Sequence, residues 1–417
     1  MKTRLLKTTG LLLMLLVFGS AFPVWAGDSS SFTIINGVIK DKQTKKKLEQ
    51  VSVSIPGTGI GTVTNADGVF SLKIADDIDA TTLAISHIGY FNQRLEIKDH
   101  EMQDVTIFLT PNSTVLQEVI IEGAQPLKLV RDAIARVEQN NSSSANLLTG
   151  FYRETIKKKR SYINISEAII NIYKTPYTQS VDKDRIQVYK GRRLLSPKLN
   201  DTLVVKLAGG PNLSIYLDVV KNRDLMLDLS SLPYYRFSMD RSVMINERPH
   251  FVVNFEPQVT LPYALFYGKL YIDQKTLTFS RAELHTSMDD RNKVTQAILK
   301  KKPYNLRFKP EQISYLITYK EDKGRSYLNY IRTEFDFKCD WKRKLFSTNY
   351  SVVSEMVVTD KKERDVASIP YKLTFNEKNS LSDKVTSFYD ENFWEDYNII
   401  EPTVSLEAAV NKLKKHK

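Results

Sequence analysis

Asn65, Asp67 and Gly68, in the stretch GTVTNADGVFSLKI from Gly61 to Ile74, are residues whose types and spacing could do chemistry. Carboxylate and amide oxygens beside a glycine are what a calcium loop uses. With Asn65 third, Asp67 fifth and Gly68 sixth, an EF-hand loop needs acids at its first and twelfth places. Val63 and Ile74 stand there, so the pattern fails. The five histidines, His87, His100, His250, His285 and His416, are scattered, and none has a glutamate three residues on or a second histidine four residues on. That spacing holds no zinc on a helix face. The acid pair Asp289-Asp290 reads as a turn, and nothing in the sequence sets two carboxylates at the separation a glycosidase needs. There is no Gly-x-Ser-x-Gly elbow and no phosphate-cradling glycine loop. Gly209-Gly210-Pro211 reads as a helix entry, because proline suits a first helical turn. The remaining reading of 65–68 is a tight β-turn, since Asn and Asp tolerate left-handed backbone angles.

The single cysteine, Cys339, excludes an internal disulfide and a cysteine-rich zinc site. In EFDFKCDWK, Phe335, Phe337, Cys339 and Trp341 alternate with charged residues, which predicts an inert thiol on the apolar face of a strand. Lys2, Arg4 and Lys7, the apolar run from Leu11 to Phe22 and the small residues Val24 and Ala26 predict an export signal cleaved after Ala26. The run is shorter than the ~20 residues that span a bilayer. Cleavage reduces the formal charge of +12 to about +9, carried in short clusters such as Lys157 to Arg160, Lys300 to Lys302 and Lys342 to Lys344. Clusters at turns are ordinarily solvated, and for an exported chain an anionic envelope component is a better partner than nucleic acid.

The elements that would position these residues are mostly strands. Seven short β-like runs lie between Phe32 and Thr110, punctuated by Pro56-Gly57, Asn65 to Gly68 and Ile88-Gly89, and predict a compact antiparallel sandwich. Leu127, Val130, Ile134 and Val137 then recur at helical spacing behind Pro126. From Leu147 the period returns to two, with hairpins at DQKT and EDKGR. Leu213, Tyr216, Leu217 and Val220 predict one helical insertion, and Leu406, Val410 and Leu413 a closing helix. So many strands must curl or pack on themselves to bury an apolar face. A membrane barrel fits poorly, because a basic tail follows a helix and the strands carry charge without an aromatic girdle.

The stretch from Asn36 to Ile74, followed by LAISHIGY, resembles the carboxypeptidase-regulatory-like domain of exported Bacteroidetes proteins. The resemblance rests on Gly37-Val38, Asp41, Val51, Val53, Gly57-Thr58, Thr64, Gly68, Phe70, Ser86, Gly89 and Tyr90. It implies a transthyretin-like sandwich without catalytic residues. LQEVIIEG, Leu116 to Gly123, resembles the segment after this domain in TonB-dependent transporters, whose plug and barrel have no counterpart here. The remainder, from LTGFYRE through GGPNLSIYLDVVKN to FYGKLYIDQKTLTFSRAEL, resembles an uncharacterised family of two-part Bacteroidetes envelope proteins and, in its strand alternation, the half-barrels of lipoprotein carriers.

The expected organisation is a signal peptide at 1–26 and a seven-stranded transthyretin-like sandwich at 32–111. A linker and amphipathic helix follow at 112–146, a larger curled antiparallel, half-barrel-like sheet with few helices at 147–400, and a C-terminal helix at 401–417. The expected function is non-catalytic binding or scaffolding in the periplasm, peripheral to the outer membrane, without metal or cofactor. The partner would be an envelope protein or an anionic envelope component. Tyr271, Phe279, Tyr315 and Tyr330 are candidate liners of a concave sheet face, with core packing as the plainer role. Two alternatives stay open: an accessory of a TonB-dependent uptake system, and an enzyme whose site is assembled from residues distant in sequence.

Overall fold

A computed structural model describes residues 32–98, 101–112, 125–198, 201, 203–207, 209–342, 345–376, 379–387, 393–394 and 396–414. The export signal at 1–26, Leu116 to Gly123, His100 and His416 lie outside the described residues. Among the described residues no helix is long and apolar enough to cross a membrane.

The first unit has strands β1 (Phe32–Asp41), β2 (Ser52–Ser54), β3 (Gly61–Val63), β4 (Val69–Ala75), β5 (Thr82–Ser86), β6 (Gln93–Glu96) and β7 (Glu101–Leu109). They form two sheets, ordered β4-β1-β7 and β3-β2-β5-β6. Alternate residues face inward, so Ile35, Ile39, Val53, Phe70, Leu72, Ile74, Leu83, Ile85 and Leu109 close one core. The expected sandwich is there, but it is not wholly antiparallel: β7 runs parallel to β1. A chain that leaves one sheet at β6 and enters the other is not bound by hairpin geometry, which alone forces antiparallel neighbours. Several residues of the resemblance hold turns. The Asp41 carboxylate accepts from the amides of Gln43 (2.8 Å) and Thr44 (2.5 Å) and from the Tyr90 hydroxyl (2.8 Å). The Thr64 hydroxyl donates to the Leu48 carbonyl at 2.7 Å and accepts from the Val51 amide at 3.0 Å.

Helices α1 (Pro126–Ala135) and α2 (Val137–Asn140) follow, with Pro126 in the first turn and Val130, Ala133 and Ile134 buried, as the spacing predicts. The second unit is one large open sheet. Its strands are β8 (Asn146–Lys158), β9 (Ser161–Lys174), β10 (Arg185–Leu195), β12 (Tyr235–Ile245), β13 (Arg248–Pro257), β14 (Phe266–Asp273), β15 (Phe279–Thr286), β17 (Leu306–Asp322), β18 (Arg325–Trp341), β19 (Thr348–Lys362) and the two-residue β20 (Thr386–Ser387). Their order is β12-β13-β14-β15-β17-β18-β19-β8-β9-β10-β20, antiparallel except for the parallel β10–β20 edge. The predicted hairpins are present. The Asp273 carboxylate accepts from the amides of Lys275 and Thr276, and Lys323 and Gly324 both take positive φ (50° and 74°) between β17 and β18.

One face of this sheet carries the main core, to which α1 and the segment 215–232 contribute. The insertion there begins as predicted, but helix α3 (Pro211–Tyr216) stops before Leu217 and Val220, which are buried in turns. A buried ionic network holds this segment down. Lys174 pairs with Asp184 (3.1 Å) and Asp218 (2.8 Å), Lys221 pairs with Asp184 (2.6 Å), and the hydroxyls of Tyr177 and Tyr319 donate to Asp218. Burial opposes the charge on Asp184, but the two lysines outweigh it and keep the carboxyl below its ordinary range. Lys221 is pulled down to about 8 by burial and by Lys174, against the attraction of Asp184. A two-stranded ladder, β11 (Lys206–Leu207) with β16 (Leu299–Lys301), lies over the same sheet face next to helix α4 (Arg291–Ile298). This helix has little periodic signal of its own. Asp290, read as a turn residue, caps it by accepting from the Asn292 amide at 2.8 Å. The closing helix, α5 (Val404–Lys414), buries Leu406 and Leu413 against Ile165 and Leu194 on the opposite face.

Candidate functional site

The register across β17, β18, β19 and β8 builds two neighbouring rows on the core-bearing face. One row is hydroxylic and acidic: Tyr315 opposite Thr333, Thr333 opposite Ser354, Ser354 opposite Glu154. The next row, two residues along each strand, is apolar: Ile313, Phe335, Val352 and Ile156. Two positions apart is one side-chain step on the same face, so the rows lie side by side. The β11–β16 ladder and the segments around Asp201, Gly210 and Ser382 roof them, leaving a cavity of about 430 Å³. That is within the range of small-molecule sites, as is its mixture of an apolar wall with a few polar groups. Leu203, Val205, Leu207, Leu213 and Ile298 supply the facing wall.

Glu154 is the carboxylate that the sheet places in this cavity. Burial raises its pKa above the ordinary value, and contacts from the Tyr152 hydroxyl (3.2 Å) and the Gly210 amide offset part of that. The Gly209-Gly210-Pro211 motif is thus the entry to α3 and also brings a backbone donor to Glu154. Among the described residues lining the cavity there is no histidine and no cysteine. Cys339 sits fully buried beyond the apolar row, with its thiol pushed up to about 12 by burial.

Of the four candidate aromatics, only Tyr315 lines the cavity. Phe279 is core on the same face. Tyr271 and Tyr330 are on the opposite face, a correction that follows from register: one residue of offset or one bulge reverses a side chain. Tyr271 pairs with Arg281 across β14 and β15 and donates to Glu283 at 3.0 Å. Tyr330 is buried with Val63, Phe151, Val357, Trp394 and Ile400, where the sandwich meets the large sheet.

The corner at 65–68 belongs to that junction. Gly68 has φ 70°, and Phe70 is 1% exposed inside the sandwich, so the turn reading holds. Beyond the turn itself, the Asn65 amide donates to the carbonyls of Glu401 (3.2 Å) and Pro402 (3.0 Å), and the Asp67 carboxylate accepts the Val404 amide at 2.8 Å. Thr62 donates to the Ile399 carbonyl, and Asn398 exchanges two hydrogen bonds with the backbone of Lys73. From the large sheet, Arg153 holds the Ile400 carbonyl (2.8 Å) while pairing with Glu167 (2.7 Å), which also pairs with Arg192 (2.8 Å). Residues 398–404 are therefore gripped from both units. No local sequence signal links Asn65 to Glu401.

Two other depressions are less suited to a ligand with an apolar part. One, of about 920 Å³, is open and lies on the opposite face of β12 to β15 among Arg236, Asn254, Glu256, Lys269, Glu283 and His285. The other, of about 420 Å³, runs between the two units beside His87, whose pKa falls to about 4 through burial and the charge of Arg281. Among the described residues no group of three or more His, Cys, Asp or Glu is placed to hold a metal ion.

Residues 35–121 match the family model of the CarboxypepD_reg-like domain, the segment that carries the sandwich. No curated protein matches the chain. Among solved structures, a DUF1329 family protein from Desulfovibrio piger ATCC 29098 is similar at 12% identity and TM-score 0.26, over 59% of this chain and 96% of that one. A LolA superfamily protein from Nitrosomonas europaea is similar at 10% identity and TM-score 0.23, over 61% of this chain and 99% of that one. MucB in complex with MucA(peri) is similar at 11% identity and TM-score 0.16, over 58% of this chain and 100% of that one.

Proposed function

We propose that this chain is a non-catalytic binding protein of the cell envelope whose cavity takes the apolar part of an amphiphilic molecule. The observation that carries the reading is the pair of adjacent rows. Ile313, Phe335, Val352 and Ile156 offer a dry wall to a hydrocarbon, while Tyr315, Thr333, Ser354 and Glu154 offer hydrogen bonds to a polar end one step away. Burial of hydrocarbon against such a wall is worth about 2.5 kcal/mol per ~100 Å², so affinity should rise with the length of the apolar chain. Glu154, with its raised pKa, favours a neutral or hydrogen-bond-donating polar end over a carboxylate. The basic start and apolar run of the sequence support export to the envelope.

The test is titration with a fluorescent long-chain alcohol, comparing the unaltered chain with Val352→Trp, which fills the apolar row. Saturable binding that Val352→Trp abolishes, at an unchanged melting temperature, is the expected result. Absence of saturable binding, or equal binding by the filled variant, rejects the reading. Turnover of the probe would favour an enzyme instead.

A further inference from the structure

Three turns at one end of the large sheet share a composition found nowhere else on its described surface. They are the β8–β9 turn with its flanking strand residues (157–161, KKKRS), the end of β16 with its connection to β17 (300–305, KKKPYN) and the segment between β18 and β19. The register brings them together: Leu306 pairs with Trp341, Cys339 with Thr348, and Tyr350 with Lys158. Direct contacts do the same. The Lys342 amide donates to the Asn305 carbonyl at 3.1 Å, the Lys342 ammonium lies 4.8 Å from the Tyr304 ring centre, and the Lys159 amide donates to the Asn349 carbonyl at 2.8 Å.

At the tips of this end, Leu345, Tyr304 and Phe346 are 95%, 91% and 83% exposed. Turns are ordinarily built from Gly, Asn, Asp, Ser and Pro, so a Leu-Phe pair projecting into water is costly to keep without a partner. The surrounding residues are basic and the turns contain no acid. The nearby acids are committed: Asp340 to Lys309 at 2.5 Å, Glu311 to Lys338, and Asp201 to Lys158 at 3.6 Å. Apolar tips at the same end of the sheet as exposed lysines are complementary to an anionic bilayer, where the tips enter the acyl boundary and the lysines reach the headgroups.

We infer that this end of the sheet docks on the surface of an anionic phospholipid bilayer through Leu345, Phe346 and Tyr304, with the exposed Lys159, Lys301 and Lys342 on the headgroups. The residues that carry the docking, Leu345, Phe346, Tyr304, Lys159, Lys301 and Lys342, are not among those that line the binding cavity. The docking deepens that reading, because Ile298 and Lys300 of the same end line the cavity and would bring it to the membrane surface.

The experiment is flotation of the full chain with vesicles of phosphatidylcholine containing phosphatidylglycerol, against vesicles of phosphatidylcholine alone. Flotation with the anionic vesicles only, weakening as salt rises, is expected. Each of Lys159→Gln and Lys301→Gln should weaken it about five-fold, the effect of one basic residue near such a surface. The double change Leu345→Ser with Phe346→Ser should weaken it about ten-fold or more. These positions are exposed, and an unchanged melting temperature checks that each variant folds. As a second measurement, the emission of a Phe346→Trp variant should shift blue on anionic vesicles and be quenched by brominated acyl chains. No flotation with anionic vesicles, equal flotation with pure phosphatidylcholine, or flotation indifferent to Leu345 and Phe346 would overturn the inference. So would retention on dissolved heparin without vesicle binding. Failure of cavity binding alone, with flotation intact, would leave the docking standing and remove only the cargo.

Discussion

Replacing Asn65 by alanine separates a corner that only turns the chain from one that also fastens the two units together. The Asn65 side chain is 5% exposed and makes four hydrogen bonds. Two, from the amides of Asp67 (2.9 Å) and Val69 (3.0 Å) to its oxygen, hold the turn. Two, from its nitrogen to the carbonyls of Glu401 and Pro402, hold the segment from the other unit. At about 1 kcal/mol net for each, Asn65→Ala costs roughly 4 kcal/mol in all, of which roughly 2 belong to the junction. An opening constant changes about thirty-fold for 2 kcal/mol, so amide exchange in peptides covering 398–414 should quicken by that factor in the full-length variant. Asp67→Ala removes the acceptor of the Val404 amide at the start of α5, a cap contribution of about 1 kcal/mol, and should quicken the first turn of that helix about five-fold. Asp67→Asn keeps an acceptor and should change little. Exchange in 398–414 that stays at its original rate while Asn65→Ala lowers global stability would refute the fastening role, leaving Asn65 a turn residue alone.

Phe70→Ala should destabilise the sandwich by about 3–5 kcal/mol, read by thermal or denaturant unfolding, because the ring fills a closed core. Gly68→Val should cost ~1 kcal/mol or more, since φ is 70° and an added Cβ would stand 2.7 Å from the Ile39 carbonyl oxygen. Acid should loosen the junction through His87. Its folded pKa of about 4 is below the unfolded value, so the unfolded chain takes the proton first. Stability is full above pH ~6.5 and falls as pH drops toward 4, by about 3 kcal/mol at most. A melting series across that window should be flatter in His87→Gln, and an equally steep series would count against the histidine.

How much was legible follows from the range of the interactions involved. Turn chemistry is local, so Asn65 to Gly68, DQKT and EDKGR announce their corners within four or five residues. Strand alternation is local too, which is why the sandwich, the long sheet, the helix behind Pro126 and the burial of Cys339 can all be read from residue types. Helix α4 left little such trace, because one cap at Asp290 and one buried residue, Val294, position it.

Other properties depend on how strands meet. The face a side chain occupies is a matter of register, and a single bulge exchanges the two faces. Tyr315 and Tyr330 lie on neighbouring strands of like composition, yet one lines the cavity and the other is sealed beneath the sandwich. The parallel course of β7 beside β1 likewise comes from a crossover between sheets, which no turn signal records. The residues that define the candidate site, Glu154, Thr333, Tyr315 and Ser354, come from four strands spread over 201 positions and form a row only when those strands are hydrogen-bonded in sequence. The same is true of the grip on residues 398–404 by Asn65, Thr62 and Arg153. Residue types determine local geometry and the sign of a surface, while pairing register and closure of loops hundreds of residues long determine which groups share a cavity, because only the folded chain brings them within contact distance.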